Sequence, residues 1–241
     1  MTIPAKNPIR GMGKAANAKP TILRAAVEEF AEQGFAGARM DAIAQAAGVN
    51  IALVFYYFKS KDLLYKAALE EILSDWRTRV LDAIEAAPSP RARLLAYIET
   101  YFDFALAESP ARLRLVHQEI LRQGRSISPH LTKLAQKYVK PIHQALRQVI
   151  RDGIAARDFA PFDPEHFVYS INGMMSSYFV SSSVIRVLSG HDPWSRKSIE
   201  ARRREVLRFI ERALLRRHGQ RLDRANARAR NHNHDKDEER P

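Results

Sequence analysis

Residues 40 to 65 read MDAIAQAAGVNIALVFYYFKSKDLLY, and this stretch predicts two short helices joined by a sharp turn. Its first apolar residues recur at positions i, i+3, i+4 and i+7, which is the spacing of one helix face. Gly48 suits a left-handed turn after this helix, because a residue without a Cβ atom enters that region at no steric cost. Ala44 before the glycine, with Val49 and Val54 after it, completes the spacing of a helix-turn-helix. The same spacing also fits a tight turn between two core helices.

Helical periodicity extends outward from this stretch in both directions. Apolar residues recur at helical spacing from residue 20 to residue 215, and no series of segments keeps the period-two alternation of strands. The predicted fold class is therefore all-α. Pro141 should kink or split the helix that contains it. The predicted helices lie at about 20–34, 40–47, 50–57, 61–85, 90–108, 111–124, 129–155, 164–189 and 195–217.

The Pro88-Ser89-Pro90 segment is the clearest break along the chain, and a larger helical part lies beyond it. The three-helix unit that holds the helix-turn-helix closes on a long fourth helix, which Ser60 can cap. We call the small unit the head and the larger one the body. The predicted parts are a disordered basic arm, the head, the body and a disordered tail, at residues 1–19, 20–66, 67–217 and 218–241.

The composition is that of a globular protein, and its charge suits an acidic partner. With 46% hydrophobic and 27% charged residues the chain can bury a core. The absence of cysteine excludes a disulfide scaffold, a thiolate metal site and a cysteine nucleophile. The net charge of +12 is concentrated at the ends: residues 1–19 carry four cations and no acid, and residues 201–241 carry 13 Lys and Arg against 7 Asp and Glu. The arm could lie along nucleic-acid phosphates or in a minor groove, or it could be merely solvated.

The segment GVNIALVFYYFKSKDLLY, residues 48–65, resembles the signature that closes the DNA-binding head of TetR-family transcriptional repressors. Gly34-Phe35 and Ile43-Ala44 match the same head. The resemblance is specific over residues 20–66 and only architectural beyond them. It implies a cytoplasmic homodimer whose recognition helices enter successive major grooves of a palindromic operator. It also implies a small-molecule effector in the body that changes the spacing of the two heads.

The predicted recognition helix is unusually apolar. Asn50 takes the position where the family usually has serine; its amide suits bidentate recognition of adenine, and capping of the helix is the equal alternative. Ile51 and Ala52 could meet thymine methyl groups. For Leu53 the same contact and packing inside the head are equally expected, whereas Phe58 is expected in the core.

The resemblance places Tyr56, Tyr57 and Lys61 against the DNA backbone. Tyr57 stands where the family often has histidine, and Phe55 stands where a tyrosine hydroxyl is common. Ala38 and Arg39 occupy the position of a common capping threonine, so the resemblance does not fix the register of the phosphate contact of that helix. The residues predicted to contact DNA are Arg39, Asn50, Ile51, Ala52, Leu53, Phe55, Tyr56, Tyr57, Lys59 and Lys61.

The last two long helices are predicted to form the dimer interface, because small residues let helix backbones approach closely. An intramolecular core helix is the alternative for either face. The small residues are Gly173, Ser176, Ser177, Ser181 and Ser182, and the apolar stripe of the last helix is Val206, Leu207, Ile210 and Leu214. Apolar bulk with isolated polar tips marks candidate effector-binding residues, although any single residue of this type is more often part of the core. They are Trp76, Phe102, His117, Tyr138, His143, Asn172, Met175 and Tyr178.

Other classes of protein fit the sequence less well. We find no phosphate-binding glycine loop, no nucleophile elbow and no zinc helix, so neither an enzyme nor a bound cofactor is expected. His232 and His234 could bind metal only adventitiously, and no metal site is predicted. The 19 uncharged residues at 167–185 contain too many serines for a membrane span, and no signal peptide is visible. A basic, sequence-independent DNA-binding protein remains the alternative.

Overall fold

The computed structural model describes residues 18–106, 110–122 and 128–214, and the regular elements among them are helical. This confirms the predicted all-α class. Residues 1–17 of the predicted arm and the whole predicted tail, residues 218–241 with His232 and His234, lie outside the described residues, as do residues 215–217 of the predicted body. The predicted arm boundary was wrong by two residues, because the first helix already begins at Ala18. A π-helical turn, Ala135–Val139, joins the seventh and eighth helices. In chain order the helices are α1 Ala18–Gly37, α2 Met40–Ala46, α3 Ile51–Phe58, α4 Lys61–Ala86, α5 Pro90–Leu106, α6 Ala111–Arg122, α7 Pro129–Leu134, α8 Lys140–Ala155, α9 Pro164–Val180, α10 Ser182–Ser189 and α11 Arg196–Leu214.

The head is built on the apolar faces of α1, α2 and α3. Phe30 of α1, Ile43 of α2 and Val54 of α3 are completely buried in one cluster. Gly34 interrupts α1 with φ 67° and ψ 172°, and one further turn follows as far as Gly37. Glycine adopts this positive φ without a Cβ clash. The main part of α1 therefore ends at Gly34, as predicted.

The long helix α4 belongs to the head and to the body. Its 26 residues span about 39 Å, and the hydroxyl oxygen of Ser60 accepts a hydrogen bond from the Leu63 amide at 3.2 Å, as predicted for the cap. Leu64 near its start and Ile72 in its middle are completely buried. The core that they join is continuous from head to body. A displacement of the body end of α4 would therefore reach the head.

Two of the predicted long helices are divided in the structure. Pro141 interrupts the first of them as predicted: the π-helical turn Ala135–Val139 directly precedes it, because proline cannot donate the backbone hydrogen bond and crowds the preceding turn. The single helix predicted at 164–189 was wrong. The chain breaks at Ser181, which has φ −89° and ψ 15°, in a run of serines whose hydroxyls compete for backbone hydrogen bonds.

The uncharged stretch at 167–185 is distributed over α9 and α10. No single helix within the described ranges has the length and apolar content of a membrane span. Only α2 and α3 taken together reach those limits, and the chain bends by 108° between them.

Candidate nucleic-acid interface and body cavity

The turn between α2 and α3 has helix-turn-helix geometry. The 108° bend lies in the range of such motifs. Gly48 has φ 64°, in the left-handed region, and the amide of Val49 donates to the Ala44 carbonyl at 3.0 Å across the turn. Ala44 is 3% exposed where the two helices cross. The predicted roles of the glycine, the small residue and the two valine anchors in this turn are confirmed.

Asn50 caps α3. Its side-chain oxygen accepts a hydrogen bond from the Ala52 amide at 2.8 Å, while its own backbone is extended. One of the two roles that the sequence left open is thus present in the structure. Because the cap uses only the oxygen, the amide nitrogen is still available for a base.

The outer face of α3 is apolar and aromatic. Ile51, Phe55 and Tyr56 are 40%, 42% and 67% exposed, and Ala52 lies on the same side. Such exposure of neighbouring large apolar side chains commonly marks an interaction surface. Leu53 and Tyr57 are half-buried against the core, so the packing alternative for Leu53 is the one that the structure shows. Val54 and Phe58 are buried and anchor the helix, as expected.

The cations around α3 are partly engaged within the head. The ammonium group of Lys59 lies 5.2 Å from the centre of the Tyr56 ring. That of Lys61 donates to the Ala36 carbonyl at 3.1 Å. Arg39 forms a two-point ion pair with Asp41, with distances of 2.6 Å and 3.1 Å, and this hydrogen-bonded partner lowers the pKa of the Asp41 carboxyl. Arg39 makes no side-chain cap on α2.

The body contains a cavity of about 250 Å³ between α4, α5, α6, α8 and α9. Aromatic side chains form much of its wall. The Trp76 ring centre lies 5.2 Å from that of Phe104, 5.8 Å from that of Tyr101 and 6.2 Å from that of Tyr97. Besides the tyrosine hydroxyls and the indole N–H of these rings, the polar groups of the wall belong to His117, His143, Asn172 and Ser176, and among the described residues no charged side chain lines it.

Two family models account for residues 22 to 217. The model described as "Bacterial regulatory proteins, tetR family" matches residues 22–68, which contain the helix-turn-helix. The model described as "YcdC-like protein, C-terminal region" matches residues 69–217. The chain belongs to the TetR family of transcriptional regulators. The resemblance drawn from residues 20–66 is thereby confirmed.

Individual TetR relatives match over most of their length. The HTH-type transcriptional regulator RutR from Escherichia coli strain K12 is 29% identical over 172 residues, which are 71% of this chain and 78% of RutR. A transcriptional regulator from Saccharomonospora viridis in complex with choline superposes with a TM-score of 0.69 at 19% identity, covering 84% of this chain and 100% of that one. AibR in complex with isovaleryl coenzyme A and operator DNA gives 0.63 at 16% identity, covering 79% and 96%. At these identities the two structures establish a shared fold.

The structure gathers half of the candidate effector-binding residues around the cavity of this TetR body. Trp76, His117, His143 and Asn172 line it. The other four do not: Phe102 and Met175 are completely buried in the core, Tyr138 donates to a Glu70 carboxylate oxygen at 2.8 Å, and Tyr178 lies under the Arg202 guanidinium, 5.5 Å from it.

Sequence reasoning missed the aromatic wall that α5 supplies. Tyr97, Tyr101 and Phe104 recur at i, i+4 and i+7, so they share one face of that helix. This spacing was visible in the sequence, but only the packing of α5 against α4 shows that the face lines a cavity. Burial raises the pKa of Tyr97 and of Tyr101, so both hydroxyls keep their protons.

His117 is the most perturbed polar group of the cavity. It is 8% exposed, and burial lowers the pKa of its imidazole to about 4, so the ring is neutral near pH 7. Its Nε2 lies 3.3 Å from the Tyr101 hydroxyl, while its Nδ1 is buried with no hydrogen-bond partner among the described residues. The Nε2 atom of His143 is also buried without such a partner. Asn172 accepts a hydrogen bond from the Tyr97 hydroxyl through its side-chain oxygen.

The helix that carries His117 also contacts the TetR head. The next residue, Gln118, donates its amide to the Ala31 carbonyl of α1 at 3.1 Å. The carboxylate of Glu119 accepts the hydroxyl proton of Tyr65, at the head end of α4, at 2.6 Å. Three consecutive residues of α6 therefore connect the cavity wall to two helices of the head.

Glu119 places a carboxyl group inside the protein. Its side chain is 5% exposed and pairs with Arg122 at 2.9 Å. Burial, reinforced by the hydrogen bond to Glu119, raises the pKa of Tyr65, which therefore remains a donor. Since a buried carboxylate needs such partners, the contact depends on the relative positions of α4 and α6.

The exposed side of α9 continues into α10 as one face. Its members are spaced by three or four residues. A Cβ atom added at Gly173 would meet no other atom of the protein, so the surface is open there. Apolar members are well exposed, with Tyr169 at 53% and Val184 at 59%. We call this the α9 face, and it consists of Tyr169, Gly173, Ser177, Val180 and Val184.

Two details of the predicted dimer helices are corrected by the structure. Ser176 turns inward and lines the cavity. The apolar stripe of α11 packs on the chain's own core, where Val206 and Ile210 are 1% and 2% exposed, because α11 lies against α5. Phe209, at 59%, is the large apolar side chain that α11 exposes among the described residues.

Proposed function

We propose that this TetR protein is a repressor that binds a palindromic operator as a homodimer and leaves it when a small molecule enters the body cavity. The observation that carries the proposal is the shared helix α6, in which His117 lines the cavity while Gln118 and Glu119 are bonded to the head. A ligand that moves this helix must strain or break those bonds.

DNA recognition is assigned to the outer face of α3. Ile51 and Ala52 are exposed apolar groups suited to thymine methyls. Tyr56 and Lys59 follow on the exposed side and suit phosphates, because a hydroxyl and an ammonium both donate to phosphate oxygen. The arrangement reads bases mainly through apolar contact, with Asn50 as the amide at the helix start.

Dimerisation is assigned to the α9 face, with a second copy of the chain as its partner. Its small residues let two helices approach closely, and the exposed Tyr169, Val180 and Val184 supply apolar area that water would otherwise contact. A two-fold axis makes such a face self-complementary. A two-fold dimer also has two α3 helices, one for each of two DNA half-sites that lie one helical turn apart.

The effector role is supported by the cavity and by the fold. The similar regulator from Saccharomonospora viridis was solved with choline, and AibR with isovaleryl coenzyme A and operator DNA. For this chain the cavity wall includes α4, the helix that enters the head. A coupling of about 1–3 kcal/mol between effector and operator is typical of such two-site proteins.

The test is selection of bound duplexes from a random pool at physiological salt, followed by release with small molecules. We expect a two-fold symmetric site that the protein prefers by roughly 10³ or more over random DNA. Ile51→Ala should change the preferred bases, whereas Lys59→Ala should weaken binding to all sequences and lower the salt slope by about one unit. Lys133→Ala, an exposed lysine of α7, is the matched control. Equal binding to every duplex would instead identify a sequence-independent DNA-binding protein.

A further inference from the structure

We infer that the cavity takes a compact, uncharged ring compound that carries both a hydrogen-bond donor and an acceptor. This inference rests on the proposed effector role of the cavity. It concerns the chemistry of the occupant. Four features restrict that chemistry independently: the size of the cavity, its aromatic wall, its lack of charge and its unpartnered nitrogens.

Size limits how much of an effector the cavity can enclose. Its volume of about 250 Å³ lies below the range of roughly 300–1,000 Å³ that holds drug-sized ligands. A single substituted ring fits such a volume. A coenzyme A ester does not, and its phosphates would find no cation among the described residues of the wall.

The aromatic wall favours a flat occupant. Trp76 contacts Tyr101 and Phe104 edge-on, with ring centres 5.8 Å and 5.2 Å away. Edge-to-face and offset arrangements of this kind extend naturally to another ring. These side chains lie on two helices, α4 and α5, that pack against each other.

The absence of charge disfavours an ionic occupant. An ion inside the cavity would be desolvated without a counter-ion among the described lining residues, which is costly. His117 gives no compensation to an anion, because burial lowers its pKa to about 4 and keeps it neutral near pH 7. Aromatic faces do attract cations, but a quaternary ammonium group offers no partner to a buried nitrogen.

Two histidines of the cavity wall favour an occupant with polar atoms, because each has a ring nitrogen without a hydrogen-bond partner. Nδ1 of His117 and Nε2 of His143 are buried without a hydrogen bond in the described part of the chain. Each neutral imidazole has one donor and one acceptor nitrogen, and Asn172 uses only its oxygen toward Tyr97. Both nitrogens have almost no accessible area in this conformation, so a ligand with both kinds of group pairs them once the rings turn toward the cavity. The pairing is favourable because leaving buried polar atoms unpaired is costly.

The experiment uses the two tryptophans of the chain. In the full-length Trp194→Phe variant, Trp76 in the cavity wall reports binding by fluorescence. The probes are single-ring compounds in charge-matched triplets, each a carboxamide, a carboxylate and a trimethylammonium derivative of the same ring, such as benzamide, benzoate and phenyltrimethylammonium. Isovaleryl coenzyme A is the large probe. Release of the selected operator is measured in parallel.

Carboxamides should bind at least tenfold more tightly than their charged partners. His117→Phe, which keeps a ring and removes the nitrogens, should lose at least tenfold of that affinity, and so should His143→Phe as the second variant. His191→Phe, an exposed histidine outside the cavity, is the matched control and should bind as before. Circular dichroism checks that each variant is folded.

The two proposals fail in different ways. Tighter binding of an anion, a cation or the coenzyme A ester overturns the inferred ligand class, and so does unchanged carboxamide binding in both histidine variants or no binding by any probe. If one of those charged compounds also releases the operator, the proposed function still stands. If carboxamides bind at Trp76 but never alter operator affinity, the ligand class stands and the effector role is wrong.

Discussion

Replacing Tyr65 by phenylalanine removes a hydroxyl that joins α4 to the buried carboxylate of α6. That hydroxyl donates to Glu119 at 2.6 Å. The ring itself should stay in place, since it packs edge-on against Phe30 and Phe35 with centres 4.9 Å and 5.1 Å away. The substitution therefore isolates the hydrogen bond from the packing.

The magnitude follows from the burial of the acceptor. Hydrogen bonds to charged groups contribute about 1.5–3 kcal/mol, and the Glu119 side chain is 5% exposed, so water cannot replace the lost donor. Arg122 still pairs with the carboxylate at 2.9 Å, which puts the expected loss near the middle of that range, at about 2 kcal/mol. For a chain of this size that corresponds to a melting temperature lower by roughly 4–8 °C.

The assay is urea unfolding followed by far-ultraviolet circular dichroism at one fixed protein concentration. Tyr138→Phe is the matched control, because it removes a similar 2.8 Å hydrogen bond to Glu70, whose side chain is 44% exposed and also pairs with Lys137. We expect this control to cost less than about 1 kcal/mol. If Tyr65→Phe costs no more than the control, the buried carboxylate does not depend on the tyrosine and the proposed connection of α6 to the head is wrong.

Three further changes test the cap, the dimer and the buried imidazole. Asn50→Ala should lower the free energy of unfolding by about 1 kcal/mol. If the variant selects DNA with the same base preferences as the unchanged protein, Asn50 caps α3 and does not contact a base. Ser177→Arg should give monomers or insoluble protein in sedimentation, because it forces a charge into a close helix contact. A stable dimer would show that the interface is not on the α9 face. Gln144→Arg, at an exposed position of α8, is the control. His117 has a folded-state pKa of about 4 against about 6.5 when unfolded, so stability present above pH 6.5 is lost as the pH falls toward 4, by about 2 kcal/mol between pH 7 and pH 5. His117→Phe should lack that part of the loss, and an identical pH dependence would contradict the assignment.

The head shows which structural features the local sequence pattern can predict. Gly48, Val49 and Val54 lie within seven residues of one another, and their roles depend on a positive φ and on one helical turn of spacing. Short-range rules of this kind predicted the turn, the Ser60 cap and the break before Pro141. They also left two roles open for Asn50 and two environments for Leu53, since a side chain at a helix surface is assigned only by what packs beside it.

Long-range contacts account for what the sequence did not predict. Residue type suggested Phe102 and Tyr138 for the cavity as readily as Trp76 and His117, because a bulky apolar side chain has the same composition whether it meets a core or an empty volume. The α11 stripe likewise packs inward because α5 is its neighbour.

The sequence alone therefore determined the all-α class, the turn and the family, since each rests on residues close together in the chain. Tertiary structure decided which helix faces meet. Tyr65 and Glu119 are 54 residues apart, and Tyr97 and Asn172 are 75 apart. Their contacts depend on the summed burial of many side chains across α4, α5, α6 and α9, and no local spacing encodes that sum. The cavity, its unpartnered nitrogens and the connection of α6 to the head arise only when those helices pack together.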